Sequence, residues 1–218
     1  IKYLLNERET IMLYEYLKEN YIPGEPIFTG DIDIPGMTEE NLRYHLKKLT
    51  DNGIICRFEP GVYYFPKTDI FGEWMSLSPD TVAVHKYILR RGKRVGYYSG
   101  YTLANRMGLS TQVPFTQEIS SNFAPALVRK MMIKNRQYII RRPVVEVTEE
   151  NAPVLQFLDC LKDIEKCTEM EPEKCGRILT EYARKNGITK KKIDRLIINY
   201  PLKIYKAIYE TEVEYVSS

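Results

Sequence analysis

The chain has 218 residues, 28% of them charged, and a formal net charge of +3 at pH 7. Its mean hydropathy of −0.37 and its lack of a long apolar run argue against a membrane-spanning helix. The first residues carry charges too early for a signal peptide, so we expect a cytoplasmic protein with no membrane partner and two folded units.

The charge is unevenly distributed. Residues 1–66 hold 7 basic and 11 acidic side chains, a net charge of −4, whereas residues 67–150 hold 13 and 7, a net charge of +6. Residues 151–218 hold 12 and 11, a net charge of +1. Nonspecific DNA affinity grows with the number of phosphates neutralised. DNA binding by the acidic first segment would therefore need a local basic face, or help from the middle segment.

The first predicted helix runs from Thr10 to Tyr21, where apolar residues recur among charges. The segment Phe28 to Ile34 precedes a Pro35-Gly36 turn, and we interpret it as the positioning element of a helix-turn-helix. A second helix is predicted from Thr38, a good N-cap, to Asn52-Gly53, which closes it. Its predicted buried stripe, with His45 beside it, consists of Leu42, Leu46 and Leu49.

A β-hairpin is predicted directly after this helix. Ile54 to Phe58 and Val62 to Phe65 are β-prone runs joined through Glu59-Pro60-Gly61. A recognition helix followed by a two-stranded wing is typical of a winged helix-turn-helix, so we assign residues 1–67 to a DNA-binding domain.

The outward face of the second helix is basic and aromatic. In a helix-turn-helix the N-terminal half of the recognition helix meets base edges, and the candidates there are Thr38, Glu40, Asn41, Arg43 and Tyr44. Asn41 can pair with adenine, Glu40 can accept from cytosine, and Arg43 can reach guanine or a phosphate. Lys47, Lys48 and Arg57 are expected to hold phosphates. The alternatives are a solvated face and a winged helix that contacts protein.

Lys67 to Leu77 is predicted to be a linker, and a helix is predicted from Pro79 to about Arg91. Cations cluster at the end of that helix and on the strand-like segments that follow. They form a possible second nucleic-acid surface, for operator DNA or an RNA, composed of Arg90, Arg91, Lys93, Arg94, Arg129, Lys130, Arg141 and Arg142. The alternative is a solvated face.

The remaining chain predicts an α/β part, residues 68–150, and a helical part, residues 151–218. A short helix opens at Ser99 or Gly100 and closes at Gly108, and three β-prone runs (115–121, 127–133 and 137–142) predict a small mixed sheet. Four helices follow, the last from Leu202 to Tyr215. The predicted fold class is therefore α+β, an N-terminal winged helix followed by a mixed α/β domain that ends in a helical bundle.

Nothing in the sequence indicates an active site. The four cysteines lack Cys-x-x-Cys spacing and are expected to be buried free thiols, and with two histidines in the chain we predict no metal and no other cofactor. Acids at Glu169, Glu171 and Glu173 beside Lys174 raise the alternative of a metal-dependent nuclease. These acids lie at a helix start, where they serve the dipole, so we expect no catalytic residues and no enzyme.

Two stretches resemble one known family. The winged helix with Gly61-Val-Tyr63, followed by Gly96-Tyr-Tyr-Ser-Gly100 and Ala104-Asn-Arg-Met-Gly-Leu-Ser-Thr-Gln-Val-Pro114, is similar to the AbiEi-type antitoxins of bacterial type IV toxin-antitoxin (abortive infection) systems. The resemblance implies a protein that represses its own operon through residues 38–48 and Arg57. It also implies that the C-terminal portion, residues 68–218, opposes a nucleotidyltransferase-like toxin without a stable complex.

The motif between Tyr97 and Pro114 also has a purely structural interpretation, with glycines in tight turns, Asn105 as a helix cap and Pro114 as a stop. The main alternative for the whole chain is a winged-helix regulator with no toxin partner, whose C-terminal domain senses a ligand or dimerises. The sequence leaves the operator, the toxin and the oligomeric state open.

Overall fold

The computed structural model describes residues 2–214, with side chains from residue 7 onward. The chain forms two compact units, Ile1–Val82 and Ala83–Ser218, and it combines helices with small sheets, so the fold class is α+β. The first unit thus extends beyond residue 67, the expected end of the first domain. Among the described residues, no helix is both long and apolar enough to cross a lipid bilayer.

The first unit begins with a helix and ends with short strands. Its elements, in chain order, are α1 (Lys2–Asn20), β1 (Ile27–Phe28), a 3-10 turn (Thr29–Asp31), α2 (Glu39–Asp51), β2 (Cys56–Glu59), β3 (Val62–Tyr64), β4 (Lys67–Thr68) and β5 (Trp74–Met75). The predicted helix from Thr38 and the hairpin after it are confirmed. The first helix starts earlier than the predicted Thr10, and the predicted positioning element contains a single 3-10 turn.

A three-stranded antiparallel sheet packs with the two helices of this unit. Its strand order is β1-β3-β2, and Gly61 in the β2–β3 turn has a φ of +81°, a conformation that glycine adopts without steric cost. The core consists of Leu13, Leu17, Ile27, Ile34, Leu42, Leu46, Leu49, Ile55 and Tyr63. The predicted leucine stripe of α2 is therefore buried, and it faces the rest of the first unit.

The segment predicted to be a linker forms a small hairpin, β4–β5. The carboxylate of Asp69 accepts hydrogen bonds from the backbone N–H groups of Phe71 and Glu73, at 2.8 and 2.9 Å. An aspartate whose side chain accepts hydrogen bonds from the backbone N–H groups that follow it stabilises a tight turn. These residues therefore form a hairpin and not an extended linker.

The third helix, α3 (Pro79–Tyr87), is shorter than predicted. Leu89–Arg90 (β6) pairs with Lys93–Arg94 (β7) across Arg91 and Gly92, whose φ angles are +48° and +71°. Two consecutive positive φ angles define the two-residue turn that best matches the twist of a hairpin. The cluster of cations therefore lies on a β-hairpin and not at a helix end, which corrects the prediction.

The second unit contains a four-stranded mixed sheet, as predicted. Its elements are β8 (Gly96–Tyr98), α4 (Gly100–Met107), β9 (Gln117–Ser121), β10 (Val128–Ile133) and β11 (Arg136–Arg141). The strand order is β10-β11-β9-β8, in which β11 and β9 are parallel and the other pairs antiparallel. Gly108 closes α4 with a φ of +79°, as expected. Asn105 is not a cap: its amide donates to the carbonyl of Ser110 at 3.2 Å, beyond the helix end.

Four helices follow, as predicted: α5 (Ala152–Cys167), α6 (Pro172–Lys185), α7 (Lys190–Ile197) and α8 (Lys203–Thr211). Tyr215, the predicted end of the last helix, lies outside the described residues. The core centres on α5, and it includes Val154, Leu155, Phe157, Leu158, Leu161, Leu179, Ile193 and Ile204. All four cysteines are free thiols: Cys160 and Cys175 are buried, and Cys56 and Cys167 are half-buried.

Candidate nucleic-acid interface

The start of α2 is built as its sequence predicts. The Thr38 hydroxyl accepts a hydrogen bond from the backbone N–H of Asn41 at 3.2 Å, and Glu39 and Glu40 lie in the first turn. The cap satisfies one of the free N–H groups, and the two carboxylates meet the positive end of the helix dipole. The first turn of the candidate recognition helix is therefore well ordered.

A buried histidine anchors α2 to α1. His45 is fully buried, with its Nδ1 2.8 Å from the Thr10 hydroxyl and its Nε2 2.8 Å from a carboxylate oxygen of Glu9. Both ring nitrogens have a partner, so the ring orientation is fixed. Sequence reasoning placed His45 beside the leucine stripe but missed its two partners. They lie 35 and 36 residues earlier in the chain, on α1, and no local signal marks them.

Most of the predicted base-contact residues lie on the solvent side of α2. Thr38, Glu40, Arg43, Tyr44 and Lys47 are exposed, whereas Asn41 and Lys48 are half-buried. Arg57, which is also exposed, lies on β2 and not on the helix. The leucines of the same helix are buried, so the helix separates one packed side from one charged side.

The polar ends of Arg43 and Asn41 already have partners within the first unit. Arg43 pairs with Glu39 at 2.9 Å, but the two side chains are 76% and 85% exposed. Such an exposed pair contributes little free energy, so the guanidinium is available to a phosphate or a base. The Asn41 amide donates to Glu9 at 3.5 Å, toward α1. An adenine contact by Asn41 would require this weak hydrogen bond to break.

The predicted second surface divides into two groups. The first lies on the β6–β7 hairpin, where Arg91 and Lys93 are exposed. Arg90 stacks on the Phe123 ring, 4.4 Å from its centroid, and Arg94 pairs with Glu149 at 3.1 Å. The stacked and the paired cation are held against the protein surface, and the exposed Arg91 and Lys93 lie in the turn and on β7.

The second group lies at the opposite edge of the mixed sheet. Arg129 and Lys130 are exposed on β10, the far edge strand, and Arg142 follows β11 beside it. The hairpin precedes β8, and three strand spacings separate β8 from β10, about 14 Å. The eight cations therefore do not form one continuous patch on a single strand or helix.

Arg141 differs from the other cations because it pairs with a buried carboxylate. Its guanidinium donates twice to one carboxylate oxygen of Glu118, at 2.7 and 3.0 Å, and the Glu118 side chain is 8% exposed. A buried carboxylate needs such a partner, so Arg141 serves the interior. Sequence reasoning grouped it with the surface cations because alternation along a strand does not reveal a partner on a neighbouring strand.

Residues 24–186 match the family model described as a family of unknown function, DUF6088, so the chain belongs to that family. The match covers the β1–β3 sheet, α2, the mixed sheet and the first two helices of the helical part. Among curated proteins, no relative matches the chain significantly.

Proposed function

We propose that this member of the DUF6088 family is a DNA-binding transcriptional regulator whose first unit is a winged helix-turn-helix. The order of elements supports the proposal: α1, a short strand, α2, and then the β2–β3 hairpin, with β1 completing the sheet. In this proposal α2 is the recognition helix, and the β2–β3 hairpin is the wing.

One observation carries the proposal: α2 is anchored on one side and presents charged side chains, Arg43 and Lys47 among them, on the other. His45 and the leucine stripe hold the helix against the first unit, while Arg43 and Lys47 point away from that core. An α-helix with its side chains is about 10–12 Å in diameter, which fits the major groove of about 12 Å width.

The second part of the proposal is an antitoxin role, and it rests on the sequence resemblance alone. We infer that the protein represses its own operon and opposes a nucleotidyltransferase-like toxin through the second unit, without a stable complex. The alternative is a winged-helix regulator that has no toxin partner and whose second unit senses a ligand or dimerises. The two differ in one measurable property, protection against a toxin.

DNA binding is tested with a fluorescently labelled fragment from upstream of the gene, in the presence of excess competitor DNA. Arg43→Ala/Lys47→Ala is expected to lower specific affinity by at least about 30-fold, since each lost contact contributes about 1–3 kcal/mol. The matched control is Arg8→Ala/Lys67→Ala, which removes the same charge from exposed positions of the same unit. Its affinity is expected to stay within about 3-fold of the wild type. Equal losses in both variants, or none in the first, would contradict the assignment of α2.

The antitoxin role is tested by co-expression with the nucleotidyltransferase-like protein encoded beside the gene. Arg43→Ala/Lys47→Ala should still relieve growth arrest, because both residues belong to the first unit. Repression of a reporter should be lost in the same cells. If growth arrest persisted in cells that express the wild-type protein at the same level as the variant, the antitoxin proposal would be contradicted and the regulator alternative would remain.

A further inference from the structure

The glycine-containing motif of the second unit, residues 96–100 and 104–114, lines a cleft. A cavity of about 320 Å³ lies between residues 97–101, residues 141–144 and α5. A second cavity of about 360 Å³ shares Tyr101, Lys166 and Cys167 with the first and continues along residues 109–112. Both parts of the motif, residues 96–100 and 104–114, therefore contribute walls to the same groove, which lies wholly within one unit.

The first cavity has one more basic than acidic side chain in its lining: Arg141, Arg142, Lys162 and Lys166 against Glu118, Asp159 and Asp163. Glu169 belongs to the lining of the second cavity only. The three carboxylates of the first cavity have partners: Arg141 binds the buried Glu118, and Lys162 binds the buried Asp159 at 2.8 Å and the half-buried Asp163 at 3.5 Å. Arg142 and Lys166 also line the first cavity, and both are exposed. In the part of the chain that the structure describes, neither forms an ion pair. Two exposed cations that have no ion-pair partner in the wall of a cavity favour the binding of an anion there.

A buried hydroxyl in the wall of the groove lacks a partner. Ser99 is 2% exposed, and within residues 7–214 its Oγ has no hydrogen-bond partner. Serine at the N-cap of a helix usually accepts from the first turn, yet the Ser99 side chain makes no such bond to α4. An unpaired buried hydroxyl costs about 1–3 kcal/mol, and a polar atom of a ligand would remove that cost.

Tyr101 supplies an aromatic surface at the junction of the two cavities. It follows Gly100 in the first turn of α4, and half of its side chain is exposed. Aromatic rings offset-stack on other planar groups, so a planar ring in the groove has a surface to pack on. The volume of the first cavity is at the lower end of the range of small-molecule sites, about 300–1,000 Å³.

We propose that this groove binds a nucleoside monophosphate, free or at the end of a strand. Arg142 and Lys166 neutralise the phosphate monoester, whose charge at neutral pH approaches two. Tyr101 packs against the base, and Ser99 donates to a polar atom of the ligand. The proposal concerns the second unit alone and stands independently of DNA binding by α2.

The test is isothermal titration of the full-length protein with AMP and UMP. Saturable binding with a Kd below about 1 mM is expected, with adenosine at least about 10-fold weaker because it lacks the phosphate. Arg142→Ala/Lys166→Ala should weaken AMP binding at least about 10-fold. The matched control, Lys185→Ala/Lys191→Ala, removes two exposed lysines outside the groove and should leave the affinity unchanged.

Two further variants protect the test against misfolding. Arg142→Lys/Lys166→Arg keeps both charges and should retain most of the affinity. Ser99→Ala should weaken binding several-fold without lowering the thermal midpoint of the free protein, because it deletes an unpaired hydroxyl. A 5′-phosphorylated tetranucleotide distinguishes the two forms of the ligand. If it binds more tightly than AMP, the ligand is the end of a strand; if it binds more weakly, the ligand is a free nucleotide. The proposal would be overturned if neither AMP, UMP nor the tetranucleotide bound saturably. Equal affinities for adenosine and AMP would also overturn it. So would an AMP affinity that Arg142→Ala/Lys166→Ala leaves unchanged.

Discussion

Tyr97 donates its phenolic hydroxyl to a carboxylate oxygen of Asp159 at 3.0 Å, and both residues are buried in the second unit. The bond joins β8 to α5. Burial, and then the charge of Asp159, raises the pKa of Tyr97 well above its ordinary value, so the tyrosine remains a donor. Burial acts to lower the pKa of Lys162, but its attraction to Asp159 and Asp163 raises it overall, so the lysine stays charged.

Tyr97→Phe should therefore destabilise the protein by about 1–3 kcal/mol, because it leaves a buried carboxylate with one donor fewer. The measurement is the free energy of unfolding in urea. Tyr101→Phe removes a hydroxyl from a half-exposed ring of the same unit and should change stability by less than about 0.5 kcal/mol. Equal effects of the two changes would mean that the Tyr97–Asp159 bond contributes nothing specific.

Gly96 lets β8 lie close to the backbone of Tyr87 and of Ser120, because glycine has no Cβ atom. A Cβ atom at this position would overlap the carbonyl oxygen of Tyr87 and lie 2.5 Å from that of Ser120. Gly96→Ala should consequently separate β8 from β9 and cost at least about 3 kcal/mol of stability. Gly30→Ala is the matched control, since nothing lies within 4 Å of its added Cβ and its φ is not positive. A Gly96→Ala variant with a wild-type urea midpoint would refute the packing argument.

Two neighbouring arginines are expected to differ in their effect on stability. Arg141→Ala leaves the carboxylate of Glu118 buried without its cation, and we expect a loss of about 1–3 kcal/mol, moderated by the partial exposure of Arg141. Arg142→Ala should change the free energy of unfolding by less than about 0.5 kcal/mol. Glu118→Gln should recover part of the stability lost in Arg141→Ala. If the effects of Arg141→Ala and Glu118→Gln on the free energy of unfolding were additive, Arg141 and Glu118 would not be coupled.

The thiol of Cys167 should react slowly at neutral pH. Burial, and then the nearby carboxylate of Asp163, raises its pKa to about 11. Only the thiolate reacts, so alkylation by iodoacetamide at pH 8 should be about 100-fold slower than that of free cysteine. The rate should rise about 10-fold per pH unit until the pH approaches the pKa. Peptide mass spectrometry measures the alkylation rate of Cys167 at each pH. A rate that levels off below pH 9 would contradict the raised pKa.

Local signals in the sequence determined the elements that carry the proposed function. The Thr38 cap, the leucine spacing and Asn52-Gly53 act within one or two turns of the chain, so they defined α2 without tertiary information. The same holds for the Gly61 turn and for the end of α4 at Gly108. The charged face of α2 followed from the same periodicity, because a helix that buries one stripe must expose the other.

Only the tertiary structure decided the features that depend on residues far apart in the chain. The anchor of His45 on Glu9 and Thr10, the pairing of Arg141 with the buried Glu118, and the groove beside α5 each join segments that pattern reasoning treats separately. The β6–β7 hairpin replaced a predicted helical turn because strand pairing and two positive φ angles outweighed local helix propensity. Tertiary packing decides which side chains pair across elements, and the hydrophobic periodicity of one segment does not identify the residues that it contacts.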